Sequence, residues 1–201
     1  MGGPETVGVA MTETRPPGAT LLRPERTALV VVDLQGKLLP VITGRERVVK
    51  NSLLLMRLCE VLKIPVVLTT QYRKGLGEII PEVLAAAPAT APLDKVSFGC
   101  FGDQGFLDHL KGLAGRDQLL VTGIECHICV AQTVLGALDQ GYQVHLASDA
   151  VGSRAEENYK TGLARMERAG ALLSSAEMAT YELLGRSDSD AFKEMLPYLK
   201  G

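Results

Sequence analysis

The sequence predicts an α/β fold in which helices cover both faces of a parallel sheet. Predicted strands and helices alternate along the 201 residues, a pattern typical of such sheets. The hydrophobic fraction is 46%, but aromatic residues make up only 4%. The core must therefore consist mainly of Val, Ile, Leu and Ala, as it does in buried parallel sheets. The length suits one such domain.

The first half of the chain begins with an arm and then alternates between strand and helix. Residues 1–24 are rich in Gly, Pro and Thr, which predicts a flexible arm before a domain of residues 25–201. The apolar run TALVVVDLQ predicts a buried strand over 27–35. Apolar residues at helical spacing predict a helix over 45–63, and β-branched residues predict a strand over 64–72. A loop with a short helix follows.

The second half continues this alternation. Asp103 is a predicted N-cap, and Gly170 ends a predicted helix. We predict an extended segment over 91–101, helices over 103–113, 129–140 and 154–170, strands over 117–124 and 142–151, and a short strand at the start of 171–179 before a helical tail.

Polar residues at the predicted strand ends mark the candidate site. In open α/β sheets, ligands bind at the carboxyl ends of the strands. Asp33, Gln71, Tyr72 and Lys95 lie at or just past such ends, and so does the turn GIECHIC, residues 123–129. We therefore expect these residues to gather at one edge of the sheet.

Charge and composition exclude several classes of function. The formal net charge is −2 and no block of Lys or Arg appears, so we expect no nucleic-acid or anionic-membrane partner. No apolar run has the length of a membrane span. The N-terminus lacks the pattern of a signal peptide, which predicts a cytoplasmic protein. The cysteines, 4 in number, are then expected to be reduced thiols.

Cys126 and Cys129 form a Cys-x-x-Cys pair with three possible roles. A structural zinc site needs four N or S ligands, and the sequence offers no second pair, so we predict no metal. A thioredoxin-like redox pair is a second possibility. Such a pair follows the first strand of a small fold, whereas this one follows a later strand of a larger fold. The third possibility is a nucleophile at Cys129, with Cys126 as a small buried residue.

A nucleophilic role for Cys129 requires help from its neighbours. Lowering a thiol pKa from about 8.5 to about 6 takes ~3.4 kcal/mol, whereas a helix N-terminus contributes roughly 0.3–1 kcal/mol and at most about 2. Lys95, at the same predicted sheet edge, is a suitable cation. Asp33 is a suitable general base that takes the thiol proton and returns it to a leaving amine. Taken alone, Asp33 could be a turn cap and Lys95 a surface lysine. The hypothesis therefore depends on Asp33, Lys95 and Cys129 together.

Three segments carry a resemblance to a known family. ALVVVDLQ, DKVSFGCF and TGIECHICVAQTVLGALDQGYQVHLASDAVGSR resemble the isochorismatase-like cysteine hydrolase superfamily, and the resemblance runs from about residue 21 to the C-terminus. LTTQYRKGLGEIIPEV and LARMERAGALLSSAE are similar to one branch, the isochorismatase-domain-containing proteins of animals and bacteria. Substrates in that branch are poorly defined.

The resemblance implies both a fold and a mechanism. The fold is a three-layer α/β/α sandwich of Rossmann type with six parallel strands. The catalytic triad matches Asp33, Lys95 and Cys129. A cis peptide bond is implied between Ile124 and Glu125, as is an oxyanion hole from the backbone N–H groups of Glu125 and Cys129. The resemblance implies no cofactor, and it implies a homo-oligomer.

Departures from the family pattern narrow the expected chemistry. Isochorismatases proper, which cleave a vinyl ether, lack the cysteine, so Cys129 points to hydrolysis of a C–N bond through a thioester. Nicotinamidases bind a metal through histidines after the second strand, and TTQYRKGLGEIIPE contains none. Five residues are candidates for contact with a small-molecule substrate, although each could equally be ordinary packing: Gln35, Gln71, Tyr72, Phe98 and Phe101.

The sequence therefore predicts a metal-independent cysteine hydrolase of a small amide. Three alternatives stay open at this point: a non-catalytic binding or scaffold protein, a vinyl-ether hydrolase, and a redox protein that uses Cys126 and Cys129.

Overall fold

The central element of the fold is one parallel sheet. A computed structural model describes residues 20–200. The six strands are β1 (Thr27–Val32), β2 (Val66–Gln71), β3 (Leu93–Lys95), β4 (Gln118–Ile124), β5 (Gln143–Gly152) and β6 (Leu172–Ser174). Their order is β3-β2-β1-β4-β5-β6, and all neighbours are parallel. The predicted fold class, an α/β sandwich with six parallel strands, is confirmed.

Helices connect and cover the strands. Within residues 20–200 the α-helices are α1 (Arg45–Leu62), α2 (Arg73–Leu76), α3 (Pro81–Ala86), α4 (Gln104–Gly112), α5 (Ala131–Asp139), α6 (Glu156–Arg168), α7 (Ala176–Leu184) and α8 (Asp190–Leu199). None of the helices in this described range is long and apolar enough to cross a bilayer.

The sheet separates two apolar cores because side chains alternate between its faces. In β1, Leu29 and Val31 pack into the core beneath α1, α7 and α8. Val30 and Val32 pack into the core beneath α4, α5 and α6. Every residue of β1 is buried, which explains why its sequence is a continuous apolar run rather than an alternating one.

The strand order places a crevice between β1 and β4. The chain leaves β1 toward β2 and β3 on one side, and β4 then returns to the other side of β1. The helix after β1 packs on one face of the sheet and the helix after β4 on the opposite face. This reversal is the topological switch point at which doubly wound sheets bind ligands.

Most predicted elements agree with the structure to within a few residues. Asp103 does cap α4, since its carboxylate accepts the Phe106 N–H at 3.0 Å. The helix predicted over 129–140 starts differently. A π-helical turn, Cys126–Val130, precedes α5, so Cys129 lies inside this turn and not at a regular helix start. The extended segment predicted over 91–101 is a strand only at Leu93–Lys95.

The predicted flexible arm, residues 1–24, falls outside the described residues except for its last five. Of these, Leu22 is buried in the core, and its N–H donates to Glu182 Oε2 at 3.0 Å. The Arg23 N–H donates to Gln118 Oε1 at 2.8 Å. Leu22 and Arg23 therefore contact the rest of the described structure, and the boundary at residue 25 stays a prediction.

Candidate active site

Three polar side chains meet at the carboxyl edge of the sheet. Asp33 follows β1, Lys95 ends β3, and Cys129 lies in the turn after β4. The relative exposures of Asp33, Lys95 and Cys129 are 0%, 2% and 6%. Lys95 Nζ lies 2.7 Å from Asp33 Oδ2, although the two residues are 62 positions apart in the chain. The fold therefore assembles a buried ion pair next to a buried thiol.

Three acceptors surround the Lys95 ammonium group. Its N–H groups donate to Asp33 Oδ2, to Gln71 Oε1 at 2.8 Å and to the carbonyl oxygen of Phe98 at 3.1 Å. An ammonium group has three donors and no acceptor. All of them are used by the protein, so Lys95 has no N–H left for a substrate.

Asp33 is held from two sides. Its Oδ2 accepts from Lys95, and its Oδ1 accepts from the Thr69 hydroxyl at 2.7 Å. The backbone of Asp33 has φ +53°, a left-handed conformation that few residues except Gly, Asn and Asp adopt at low cost. The turn after β1 thus orients the carboxylate toward Lys95.

Gln71 connects the ion pair to the thiol. Its Oε1 accepts from Lys95 and lies 3.9 Å from Cys129 Sγ, within reach of the thiol as donor. Its Nε2 donates to the carbonyl oxygen of Val96 at 2.9 Å, which fixes the orientation of the amide. The backbone of Cys129 is also fixed, because the Thr133 hydroxyl donates to its carbonyl oxygen at 2.7 Å.

The surroundings of Cys129 favour the neutral thiol. Burial raises its pKa to about 12, the negative charge of Asp33 adds to this effect, and the positive charge of Lys95 opposes it. These surroundings do not favour a preformed thiolate, and the role of Lys95 in stabilising the thiolate stays a prediction. The charge of Lys95 is offset by Asp33, and too little of it remains to overcome the desolvation of the sulfur.

The turn before Cys129 carries the predicted oxyanion hole. The Ile124–Glu125 peptide bond is cis, the geometry that the family resemblance implies. The carbonyl oxygen of Glu125 accepts the N–H groups of Ile128 and Val130 at 3.0 and 3.2 Å. The Glu125 side chain is 6% exposed and is directed to Arg154 at the end of β5. The oxyanion role of the Glu125 and Cys129 N–H groups stays a prediction.

Four of the five candidate substrate residues lie around this site. Gln71 bridges Lys95 and Cys129, as described. Gln35 is fully buried: its Nε2 donates to the carbonyl oxygens of Gln71 and Gly77, and its Oε1 accepts the Gln71 N–H, so it holds these two segments together. Tyr72 and Phe98 are half exposed beside Lys95. Tyr72 donates its N–H to the Lys95 carbonyl at 2.8 Å.

The fifth candidate, Phe101, lies elsewhere. Its ring packs edge-on against Phe106 and Tyr142, with centroid distances of 5.3 and 5.8 Å. Tyr142 immediately precedes β5, so this aromatic cluster extends toward the amino ends of the strands. The substrate contact expected of Phe101 stays a prediction.

Sequence reasoning missed Thr69, Thr133, Ser153 and Arg154. Thr69 lies in the buried run of β2 and reads as an ordinary strand residue. Ser153 and Arg154 directly follow β5, so the rule that singled out Asp33 and Lys95 also points to them. Thr133 lies one turn after Cys129. Its role is invisible in sequence because it contacts main-chain atoms only.

Residues 20–200 contain no cluster of three or more His, Cys, Asp or Glu side chains arranged to hold a metal ion. Cys126 is directed away from Cys129 toward α6, where its thiol donates to the carbonyl oxygen of Tyr159 at 3.7 Å. The two cysteines of the Cys-x-x-Cys pair thus have different surroundings.

Sequence comparisons point to one family. The model of the isochorismatase domain matches residues 27–178. Isochorismatase family protein 1B of Dictyostelium discoideum is 34% identical over 181 residues, which cover 88% of this chain and 87% of that protein. Isochorismatase domain-containing protein 2 of Danio rerio is 33% identical over 178 residues, 89% of each chain.

Solved structures agree with this assignment. The MAR1 ribonuclease of Caenorhabditis elegans superposes with a TM-score of 0.85 at 33% identity, covering 90% of this chain and 93% of that one. YcaC of Pseudomonas aeruginosa, solved with hexane-2,5-diol and covalent acrylamide, gives 0.84 at 26% identity, with coverages of 90% and 92%. The YcaC gene product of Escherichia coli, described as an octameric hydrolase of unknown specificity, gives 0.83 at 26%, with coverages of 89% and 90%.

Proposed function

Because the chain belongs to the isochorismatase family and has its hydrolase fold, we propose that it hydrolyses the C–N bond of a small amide, with Cys129 as nucleophile. One observation carries the proposal: a buried Asp33–Lys95 ion pair, bridged by Gln71 to a buried thiol 3.9 Å from the bridging oxygen. A nucleophile, a base and a group that orients the base are the parts that covalent catalysis needs.

The first half of the reaction forms a thioester. Cys129 Sγ attacks the amide carbon while its proton passes to the Asp33 carboxylate. The carbonyl oxygen becomes an oxyanion that the N–H groups of Glu125 and Cys129 stabilise. The C–N bond then breaks as Asp33 returns the proton to the leaving nitrogen, and ammonia or an amine departs.

The second half regenerates the enzyme. Asp33 takes a proton from a water molecule, which attacks the thioester carbon. The C–S bond breaks, the acid product leaves, and the proton returns to the sulfur. Lys95 acts through Asp33 in both halves: its hydrogen bond holds the carboxylate in place for each proton transfer.

Activation of the thiol is coupled to substrate binding in this mechanism. With a resting pKa of about 12, little thiolate exists near pH 7. Proton transfer to Asp33 becomes favourable when a polarised carbonyl carbon is in place to share the sulfur electrons. The covalent acrylamide in the Pseudomonas aeruginosa YcaC structure supports the idea that this fold binds small amides next to a reactive group.

The test is a screen for ammonia release from small primary amides, with matched variants. We expect Cys129→Ala, Asp33→Asn and Lys95→Met to abolish turnover in folded protein. Cys126→Ala is the control, since its thiol lies three positions away but contacts α6. Turnover that survives in Cys129→Ala contradicts the mechanism, and loss of turnover in Cys126→Ala would favour a redox role for the cysteine pair.

The same screen tests for ribonuclease activity and for binding without turnover. Three solved neighbours have the name MAR1 ribonuclease in their descriptions, so a short single-stranded RNA belongs in the panel. The net charge of −2 and the absence of a Lys or Arg block speak against a phosphate-binding surface. RNA cleavage that persists in Cys129→Ala would point to a different site, and binding without turnover of any compound would favour a scaffold protein.

A further inference from the structure

The segment that follows β5 returns to the turn that carries Cys129. Four contacts join Arg154 to the carboxylate of Glu125. The Arg154 backbone N–H donates to Oε2 at 3.0 Å, and Nε donates to both carboxylate oxygens at 3.1 Å. Nη2 donates to Oε1 as well. A guanidinium group that binds both oxygens of a carboxylate fixes its orientation as well as its position.

A second contact holds the other flank of Cys126. Ser153, which is buried, lies with its hydroxyl oxygen 2.9 Å from His127 Nδ1. Gly162 of α6 packs directly beneath this part of the turn: a Cβ there would lie 3.0 Å from His127 Cα. The residues on both sides of Cys126 are therefore fixed by groups outside the turn.

The buried carboxylate of Glu125 also needs the positive charge of Arg154. Glu125 is 6% exposed, whereas the Arg154 side chain is 57% exposed. Burial alone would raise the pKa of Glu125, but the hydrogen bonds and charge of Arg154 outweigh burial and hold the pKa below its usual range. A bare carboxylate beside the N–H of its own residue would repel an oxyanion that develops there.

We propose that Arg154, assisted by Ser153, is a positioning residue for the oxyanion hole. It fixes the residue whose N–H faces the oxyanion, and it neutralises the carboxylate that would otherwise oppose the developing charge. The inference rests on the proposed function, in which the Glu125 N–H is one of the two donors. Arg154 touches no reacting atom and acts through Glu125 alone.

Two thiol reagents distinguish a positioning role of Arg154 from general damage to the fold. Neither reagent requires that the substrate be known. Acrylamide reacts when Cys129 Sγ adds to its β-carbon and the thiol proton ends on the α-carbon. Its carbonyl oxygen gains negative charge on the way. Iodoacetamide reacts at its CH₂ carbon and releases iodide, with no charge built up on oxygen. Only the acrylamide reaction depends on an oxyanion hole.

The experiment measures both alkylation rates at Cys129, by peptide mapping, in the parent and in three variants. In Arg154→Met we expect the acrylamide rate to fall about 10- to 100-fold, somewhat less than the loss of a whole oxyanion-hole donor. The iodoacetamide rate should stay within about twofold, since no oxyanion forms in that reaction. Arg154→Lys should recover only part of the acrylamide rate, because an ammonium group does not pair with both oxygens. Arg186→Met is the control, since Arg186 pairs with Asp188 at an exposed position.

A double variant keeps the test valid if Arg154→Met does not fold. Glu125→Gln removes the buried charge, so Arg154→Met in that background leaves no unpaired ion. If Arg154 acts through the Glu125 carboxylate, adding Arg154→Met to Glu125→Gln should change the acrylamide rate by less than about twofold. A further large loss in the double variant would mean that Arg154 acts on another group, and the proposal would be wrong.

The remaining outcomes are also decisive. Equal rates in Arg154→Met and the parent, or an equal fall with both reagents, overturn the positioning role. A failure of the proposed function gives a different result. Amide turnover then persists in Cys129→Ala, regardless of the alkylation rates of the Arg154 variants.

Discussion

At the residue scale, the position of Lys95 decides what it can do. Its three N–H groups donate to Asp33, Gln71 and the Phe98 carbonyl, so it acts through its neighbours. An ion pair buried this deeply contributes little net stability while intact, but the loss of one partner leaves an uncompensated charge. The loss of the Lys95 side chain should therefore destabilise the fold.

The first prediction concerns the stability of this pair. Lys95→Met should lower the free energy of unfolding by about 3–5 kcal/mol, because the Asp33 carboxylate stays buried without its cation. Lys193→Met is the control, since Lys193 pairs with Asp190 on the surface and its loss should leave the urea midpoint unchanged. Equal midpoints for the two variants would contradict the account of the buried pair.

The second prediction concerns the thiol. Because burial and Asp33 raise the Cys129 pKa to about 12, the iodoacetamide rate at Cys129 should rise steadily with pH from 6 to about 9 without a plateau. Asp33→Asn removes the nearby negative charge and leaves Lys95, so alkylation at neutral pH should become faster while turnover is lost. A plateau below pH 8 in the parent protein would show a preformed thiolate and contradict the coupled activation.

At the scale of elements, the junction of β1 and β4 places the turns that carry Asp33 and Cys129 side by side. The register pairs Val32 with Gly123. Gly123 has φ +115°, and a Cβ there would lie 2.1 Å from the Val32 carbonyl oxygen. Only glycine allows the two strands to approach so closely just before Asp33 and Glu125.

The third prediction tests this close approach. Gly123→Ala should destabilise the protein by about 3 kcal/mol or more, because it combines a backbone clash with an unfavourable φ. Gly112→Ala is the matched control: a Cβ at Gly112, the last residue of α4, meets nothing within 4 Å, and the change should be neutral or stabilise by roughly 0.5–1 kcal/mol. Thermal denaturation of both variants measures the difference, and equal melting temperatures would contradict the prediction.

The fourth prediction concerns the contact between Arg154, just after β5, and Glu125, in the turn before Cys129. The pKa of Glu125 is lowered in the folded state, so its charge stabilises the fold above its unfolded pKa, near 4.5, and this contribution is lost as pH falls through the lower folded pKa. The melting temperature of Glu125→Gln should therefore lie below that of the parent at pH 7, and the gap should shrink at acid pH. Glu177→Gln, at an exposed position of α7, is the control. If the difference in melting temperature between the parent and Glu125→Gln grew on acidification, the predicted pH dependence would be wrong.

At the scale of the whole molecule, the strand order creates the site. Asp33 and Cys129 follow β1 and β4, which are neighbours in the sheet, and Lys95 ends β3, which β2 separates from β1. The winding direction reverses between β1 and β4, the point at which sheets of this kind bind ligands.

The fifth prediction concerns assembly. The homo-oligomer that the family resemblance implies stays a prediction. Sedimentation equilibrium should give a mass that is a multiple of the chain mass, and the same mass for folded Cys129→Ala, since the Cys129 side chain is buried. A monomer at all accessible concentrations would contradict this prediction.

Local patterns in the sequence were sufficient for the architecture. The continuous apolar run of β1, the helical spacing of α1 and the N-cap at Asp103 each act within a few residues. They predict the elements because strand and helix depend on backbone geometry and side-chain periodicity. The three candidate catalytic residues were found because each follows or ends a strand, and parallel strands end at the same edge.

The sequence by itself thus determined the fold class and the short list of site residues. Only the tertiary structure decided which groups meet: that Gln71 joins Lys95 to Cys129, that Arg154 binds Glu125, and that Phe101 packs against Tyr142. Only the structure shows the burial and the nearby Asp33 charge that raise the pKa of Cys129. The physical reason is that side-chain contacts and desolvation depend on register, twist and burial, which arise between distant segments and leave no local pattern.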